Sequence, residues 1–134
     1  MNDIFALLCE EVRDETQGSK TIIGVFPPNG VKLKRIPTIL PKFAVFVSSK
    51  VPDHKEVTIS VTILDPEGKE LVKVKSPRIN PKPPLRYVYF ALNVSPLQIK
   101  QEGTYVVNIE RDDGVSFKTN LDFKVESGGV SPKQ

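Results

Sequence analysis

The chain has one cysteine, one histidine, one methionine and no tryptophan in 134 residues. A single cysteine forms no internal disulfide, which excludes a small secreted scaffold stapled by several bridges. A single histidine leaves one imidazole, His54, to serve any hydrolytic triad or cysteine nucleophile. His54 lies in "VPDHK", a stretch with the composition of a turn. The chain also lacks a phosphate-cradling glycine loop, a CxxC pair and a GxSxG elbow. No run approaches the ~18 apolar residues of a membrane-spanning helix. The start, "MNDIFALLCEEVRDE", carries Asp3, a short apolar run and then acids, unlike a secretory leader. The expectation is a cytoplasmic protein with no membrane association.

Proline, by contrast, is plentiful: twelve residues, against a usual share of about 5%. Each one removes a backbone donor and clashes with a preceding helical turn, so prolines spread along the chain leave little room for long helices. The hydrophobic fraction of 39% and charged fraction of 26% are those of a globular domain. A chain of this length can bury roughly two thirds of its unfolded surface without a metal or disulfide.

The dominant period is two. Val57, Ile59, Val61 and Ile63 alternate with Thr58, Ser60 and Thr62. In "VSFKTNLDFKVE", Val115, Phe117, Leu121, Phe123 and Val125 alternate with polar residues. Tyr105, Val107 and Ile109 repeat the pattern. Such alternation puts one face of an antiparallel sheet on a core and the other in water. Turn chemistry separates the runs: "PPNG", "VPDHK", "DPEGK" and "DDG", the last ending at Gly114. The spacing predicts strands near 4–10, 20–26, 38–48, 56–65, 70–76, 86–94, 104–111 and 115–125. The fold class expected is all-β, an antiparallel immunoglobulin-like sandwich of about seven to nine strands. At most one short helix or 3₁₀ turn is expected, near 95–103. Residues 1–126 form one domain in this reading, and "SGGVSPKQ", 127–134, a flexible tail.

The stretch "CEEVRDETQG" collects a thiol and four carboxylates. It lacks the spacing and turn glycine of an EF-hand. Cys9 follows an apolar run, where a free cysteine behaves as a small hydrophobe. We read two strands joined by a polar turn, with Gly24 in the second marking a bulge or a close backbone approach. "RINPKPP" has the RxxPxxP spacing of proline-rich ligands but sits between two expected strands, as a stiff crossover. "NVS" at Asn93 is a glycosylation sequon without an export signal.

Charge is uneven. Residues 1–20 hold two bases and five acids, a balance of −3, whereas residues 69–86 hold six bases and one acid, a balance of +5. In "KELVKVK", Lys73 and Lys75 point away from Val72 and Val74; in "RYVYFAL", Tyr87 and Tyr89 oppose Val88 and Phe90. If these strands pair, Lys73, Lys75, Arg78, Arg86, Tyr87 and Tyr89 share a surface suited to an acidic partner. The plain alternative is a solvated outer face with protective edge lysines. A protein partner or self-association is favoured over nucleic acid, because the overall charge is only +3.

"QEGTYVVNIERDDG" resembles the late strands of immunoglobulin-like and fibronectin-type domains. The resemblance implies that Gly103 and Tyr105 build a tyrosine corner, the hydroxyl bonding back to upstream backbone. Val107 stands where antibody domains have a cysteine, and without tryptophan an antibody-type core is excluded. "LLCEEVRDETQGSKTIIGVF", with "LPKFAVFV" and "LDPEGKEL", is similar to a family of small uncharacterised bacterial proteins. That similarity implies a standalone sandwich without an assigned activity, with Cys9, Glu10, Glu11 and Arg13 as a shared surface or structural element.

The functional expectation is a non-catalytic domain, a protein-interaction or structural module, with no catalytic residues, metal or cofactor. The alternative is a small hydrolase or metal-dependent enzyme whose site residues converge only in space.

Overall fold

The structure is a computed structural model, describing residues 4–27, 30–51, 56–80, 87–94 and 96–126. The described residues form eleven strands and no helix. Sheet A has the order β2-β1-β5-β8, built from β1 (Ile4–Asp14), β2 (Lys20–Val25), β5 (Ala44–Lys50) and β8 (Tyr87–Asn93). Sheet B has the order β3-β11-β10-β6-β7, from β3 (Val31–Leu33), β6 (Ile59–Leu64), β7 (Glu70–Lys75), β10 (Gly103–Arg111) and β11 (Ser116–Val125). A two-stranded ribbon joins β4 (Thr38–Leu40) to β9 (Leu97–Ile99). Neighbours pair antiparallel except β3, which runs parallel to β11. None of the described elements is a helix long and apolar enough to cross a membrane.

The period-two pattern decides what lies inside. From sheet A, Ile4, Leu8, Val45, Val47 and Leu92 enter one core cluster; from sheet B, Ile59, Val61, Ile63, Tyr105, Val107, Ile109, Leu121 and Phe123 join it. Leu97 and Ile99 of the ribbon are buried in the same cluster. Each such side chain contributes roughly 1.5–3 kcal/mol on burial. Tyr105 meets Phe123 edge-on at 5.2 Å and 89°, the geometry in which one ring's positive edge faces the other's negative face.

The turns are built from the residues that invited them. In "DPEGK", Asp65 Oδ1 accepts from the backbone N–H of Glu67 and Lys69, both at 2.9 Å. At "DDG", Gly114 donates to the Arg111 carbonyl at 2.9 Å, closing the β10–β11 hairpin. The Tyr105 hydroxyl donates to the Gln101 carbonyl at 2.7 Å. Beside it, a Cβ on Gly103 (φ +134°) would stand 2.8 Å from the Pro66 ring; only glycine lets that turn close against β10.

Four expectations about the strands are corrected. The stretch 38–48 is two strands, separated at Pro41–Phe43 and assigned to different sheets. The place of a short helix near 95–103 is taken by β9, held by its ladder to β4. A three-residue strand, β3, is added at the edge of sheet B. β1 continues to Asp14, so Glu10, Glu11 and Asp14 lie on a strand and the turn shrinks to Glu15–Ser19. The "VPDHK" turn around His54, much of "RINPKPP", Ser95 of the sequon, part of "PPNG" and the tail 127–134 lie outside the described residues.

Candidate functional site

Residues facing one another across a ladder share a face of the sheet. On sheet A the outward set is therefore fixed by register. Cys9 faces Val25, Glu11 faces Ile23 and Arg13 faces Thr21 across β1–β2. Phe5 faces Ser48, Leu7 faces Phe46 and Cys9 faces Ala44 across β1–β5. Tyr89 faces Ser48, Ala91 faces Phe46 and Tyr87 faces Lys50 across β5–β8. The alternate residues, Ile4, Leu8, Val45, Val47 and Leu92, belong to the core.

The outer face of sheet A is consequently apolar. Phe5 (53% exposed), Val25 (52%), Tyr87 (52%) and Tyr89 (56%) stand on it, four of the six most exposed large apolar side chains described. Leu7, Ile23 and Phe46 are half-buried between them. Phe46 stacks on Tyr89, with ring centroids 6.2 Å apart and 18° between planes. Cys9 and Ala44 are buried on this face, and the Cys9 thiol lies 3.7 Å from the Ala44 carbonyl. Burial pushes the Cys9 thiol up from its ordinary value, the opposite of an activated nucleophile.

Sheet B presents a different surface. Its outward residues include Ser60, Thr62, Lys73, Lys75, Asn108, Glu110, Lys118 and Asn120, facing one another across β7, β6, β10 and β11. The same alternation that makes this face polar leaves the outer face of sheet A greasy.

Charge gathers at one end of the apolar face. The Glu11 carboxylate accepts from Arg13 Nε at 3.3 Å and from Lys42 Nζ at 3.4 Å. The Arg13 bond first, then Lys42, draws the Glu11 carboxyl below its ordinary value. Asp14 accepts from Lys20 Nζ at 2.5 Å. Glu10, Glu11, Asp14, Lys20 and Lys42 line a notch of about 560 Å³ beside β1, where its last residues run past the end of β5. Glu10 lies across Gly24 so closely that a Cβ there would stand 2.7 Å from the carboxylate arm. Among the described residues, no group of three His, Cys, Asp or Glu side chains is placed to hold a metal ion.

The residues expected to share a basic surface are not brought together. β7 pairs with β6 in sheet B and β8 with β5 in sheet A, so the pairing that would have joined Lys73 and Lys75 to Tyr87 and Tyr89 is not made. The lysines stand on the outside of one sheet and the tyrosines on the outside of the other. The physical reason is the crossover between β7 and β8, which carries the chain to the second sheet rather than back along the first. Arg78 is exposed, 3.9 Å from Glu56. Arg86 lies outside the described residues.

One residue had no signal in the sequence. Arg111 ends β10 with a side chain almost wholly buried. Its Nε donates to Asp113 Oδ1 at 2.6 Å, and its Nη1 donates to Ser49 Oγ at 3.1 Å and to the Lys50 carbonyl. It ties the end of sheet B to the end of β5.

Residues 4–126 match the model of DUF6941, a family of unknown function. The chain belongs to that family. No curated protein and no solved structure matches it. The DUF6941 match runs from the first described strand to the end of the last, so the apolar face and the Arg111 tie both fall within it.

Proposed function

We propose that this DUF6941 chain is a non-catalytic, immunoglobulin-like binding module that docks a protein partner on the outer face of sheet A. The observation that carries this reading is the contrast between the two outer faces. A sheet whose outer side is meant for water alternates to Lys, Thr, Ser and Asn, as β6, β7, β10 and β11 do. β1, β2, β5 and β8 instead turn Phe5, Val25, Phe46, Tyr87 and Tyr89 outward. Grouped apolar and aromatic side chains rimmed by charge mark an interaction surface. Glu11, Arg13 and Lys42 supply that rim. The Tyr105 corner supports the immunoglobulin-like assignment, and the single cysteine supports a reducing, cytoplasmic location.

The test compares wild type with Phe5→Asp in capture of partners from lysate of the native host. Phe5 is exposed and outside the core cluster, so the variant keeps its melting temperature while partner capture falls at least tenfold. Unchanged capture by a folded Phe5→Asp protein overturns the reading.

A further inference from the structure

We infer that β8 is a self-pairing edge: two copies of the chain join β8 to β8 antiparallel about a two-fold axis, fusing their sheets A into one eight-stranded sheet. This rests on the proposed function in one respect, naming a second copy as a partner at the margin of the same face.

Open sheet edges invite strand addition, and proteins blunt them with short strands, charges, prolines or kinks. Among the described residues, three of the four edge strands of sheets A and B carry such devices. β3 is only three residues long and contains Lys32. β7 turns Lys73 and Lys75 outward. β2 is kinked at Gly24, whose φ is +69°. β8 has none. Its seven residues, "YVYFALN", include no charge, glycine or proline, and they pair with β5 in unbroken register.

Among the described residues no strand pairs with the outer edge of β8, and that edge has donors to offer. Val94 N–H donates to the Phe43 carbonyl at 3.0 Å. In an antiparallel ladder the backbone groups of alternate residues point the same way. The even residues of β8 therefore bond to β5, and the N–H groups of Tyr87, Tyr89 and Ala91 point to the open side.

The occupant is a second copy because the strand complements itself. Outward side chains run from large to small, Tyr87 and Tyr89 then Ala91. Reversed against itself about Phe90, the strand sets Tyr89 opposite Ala91 of the other copy, large against small, with no like charges facing. The same operation on β7 would bring lysines together. A two-fold pairing uses each edge once and closes as a dimer rather than growing into a fibre.

The test is sedimentation of the full chain up to about 1 mM. Wild type is expected to shift from monomer to dimer with concentration. Ala91→Pro removes an outward donor while leaving the bonds to β5, and is expected to stay monomeric with unchanged circular dichroism. Tyr89→Lys, which places like charges near the axis without touching the backbone, should weaken the dimer at least tenfold at low salt. A monomeric wild type, or a folded Ala91→Pro protein that dimerises as wild type does, overturns the inference. The two readings fail separately: Phe5→Asp, on β1 away from the edge, abolishes host-partner capture without affecting the dimer.

Discussion

Arg111 and Ser49, 62 residues apart in sequence, meet at 3.1 Å between the guanidinium and the hydroxyl and join the two sheets at one end. Asp113 sits on the other side of the same guanidinium at 2.6 Å. A charge taken out of water is tolerated only when its donors are used. Here the Lys50 carbonyl, the Ser49 hydroxyl and the Asp113 carboxylate all accept from it.

Arg111→Met keeps the aliphatic bulk but deprives Asp113, Ser49 and the Lys50 carbonyl of a shared donor. Breaking a buried pair from one side is expected to lower the unfolding free energy by about 2–4 kcal/mol. Urea unfolding measures it. A loss below about 0.5 kcal/mol would show that the tie adds nothing to the packing around it.

Tyr105→Phe removes a hydroxyl that donates to the Gln101 carbonyl at 2.7 Å and leaves the ring against Phe123. The hydroxyl also accepts from the Gln101 N–H at 3.4 Å, and the expected loss for the pair of bonds is about 1–2 kcal/mol. The pH profile adds a second reading. Burial pushes the Tyr105 phenol above its ordinary value of 10.0. The folded state therefore favours the neutral form. Its contribution is complete below pH 10 and is lost as pH rises through the raised folded value, because the unfolded chain releases its proton first. The wild-type stability curve should fall more steeply above pH 10 than that of Tyr105→Phe. Parallel alkaline limbs would sink this assignment.

Cys9 is fully buried, and its thiol is pushed up rather than down. Reaction requires a thiolate in contact with reagent. Labelling by a chromogenic disulfide reagent at neutral pH is expected to be at least ~100-fold slower in the native protein than in urea, since it must wait for local opening. Equal rates would contradict the burial and reopen a nucleophilic role.

The strands that were legible in the sequence are those long enough to display a period. β10 and β11 alternate over Tyr105 to Ile109 and Phe117 to Val125, and Asp112–Gly114 marks their turn. β3 and β9, three residues each, show too little of any period and exist because β11 and β4 pair with them. The acids of β1 read as a turn, since Glu and Asp are poor strand formers. Pairing of Glu11 with Ile23 and of Arg13 with Thr21 overrides that preference. The face each side chain takes was legible for Lys73, Lys75, Tyr87 and Tyr89. The sheet each strand joins was not, because that choice depends on a crossover and a distant partner. Arg111 was invisible for the same reason: its partners Ser49 and Lys50 lie far away in the chain.

That separation of sheets turns the basic stretch into a decisive comparison. Lys73 and Lys75 project from the polar face of sheet B and Tyr87 and Tyr89 from the apolar face of sheet A. Lys73→Glu/Lys75→Glu reverses charge on one face only, whereas Tyr87→Ser/Tyr89→Ser strips apolar area from the other only. All four side chains are exposed, so both double variants should fold with melting temperatures close to wild type. If the partner docks on sheet A, the serine variant loses binding by tenfold or more and the glutamate variant by less than about twofold. The wild-type complex should then hold as salt is raised, because exposed charges are screened while apolar contact is not. An acidic partner on sheet B gives the reverse: binding lost with the glutamates, kept with the serines and weakened steeply between low and physiological salt. Measuring capture of host proteins by the two variants, at two salt concentrations, separates these outcomes in one experiment.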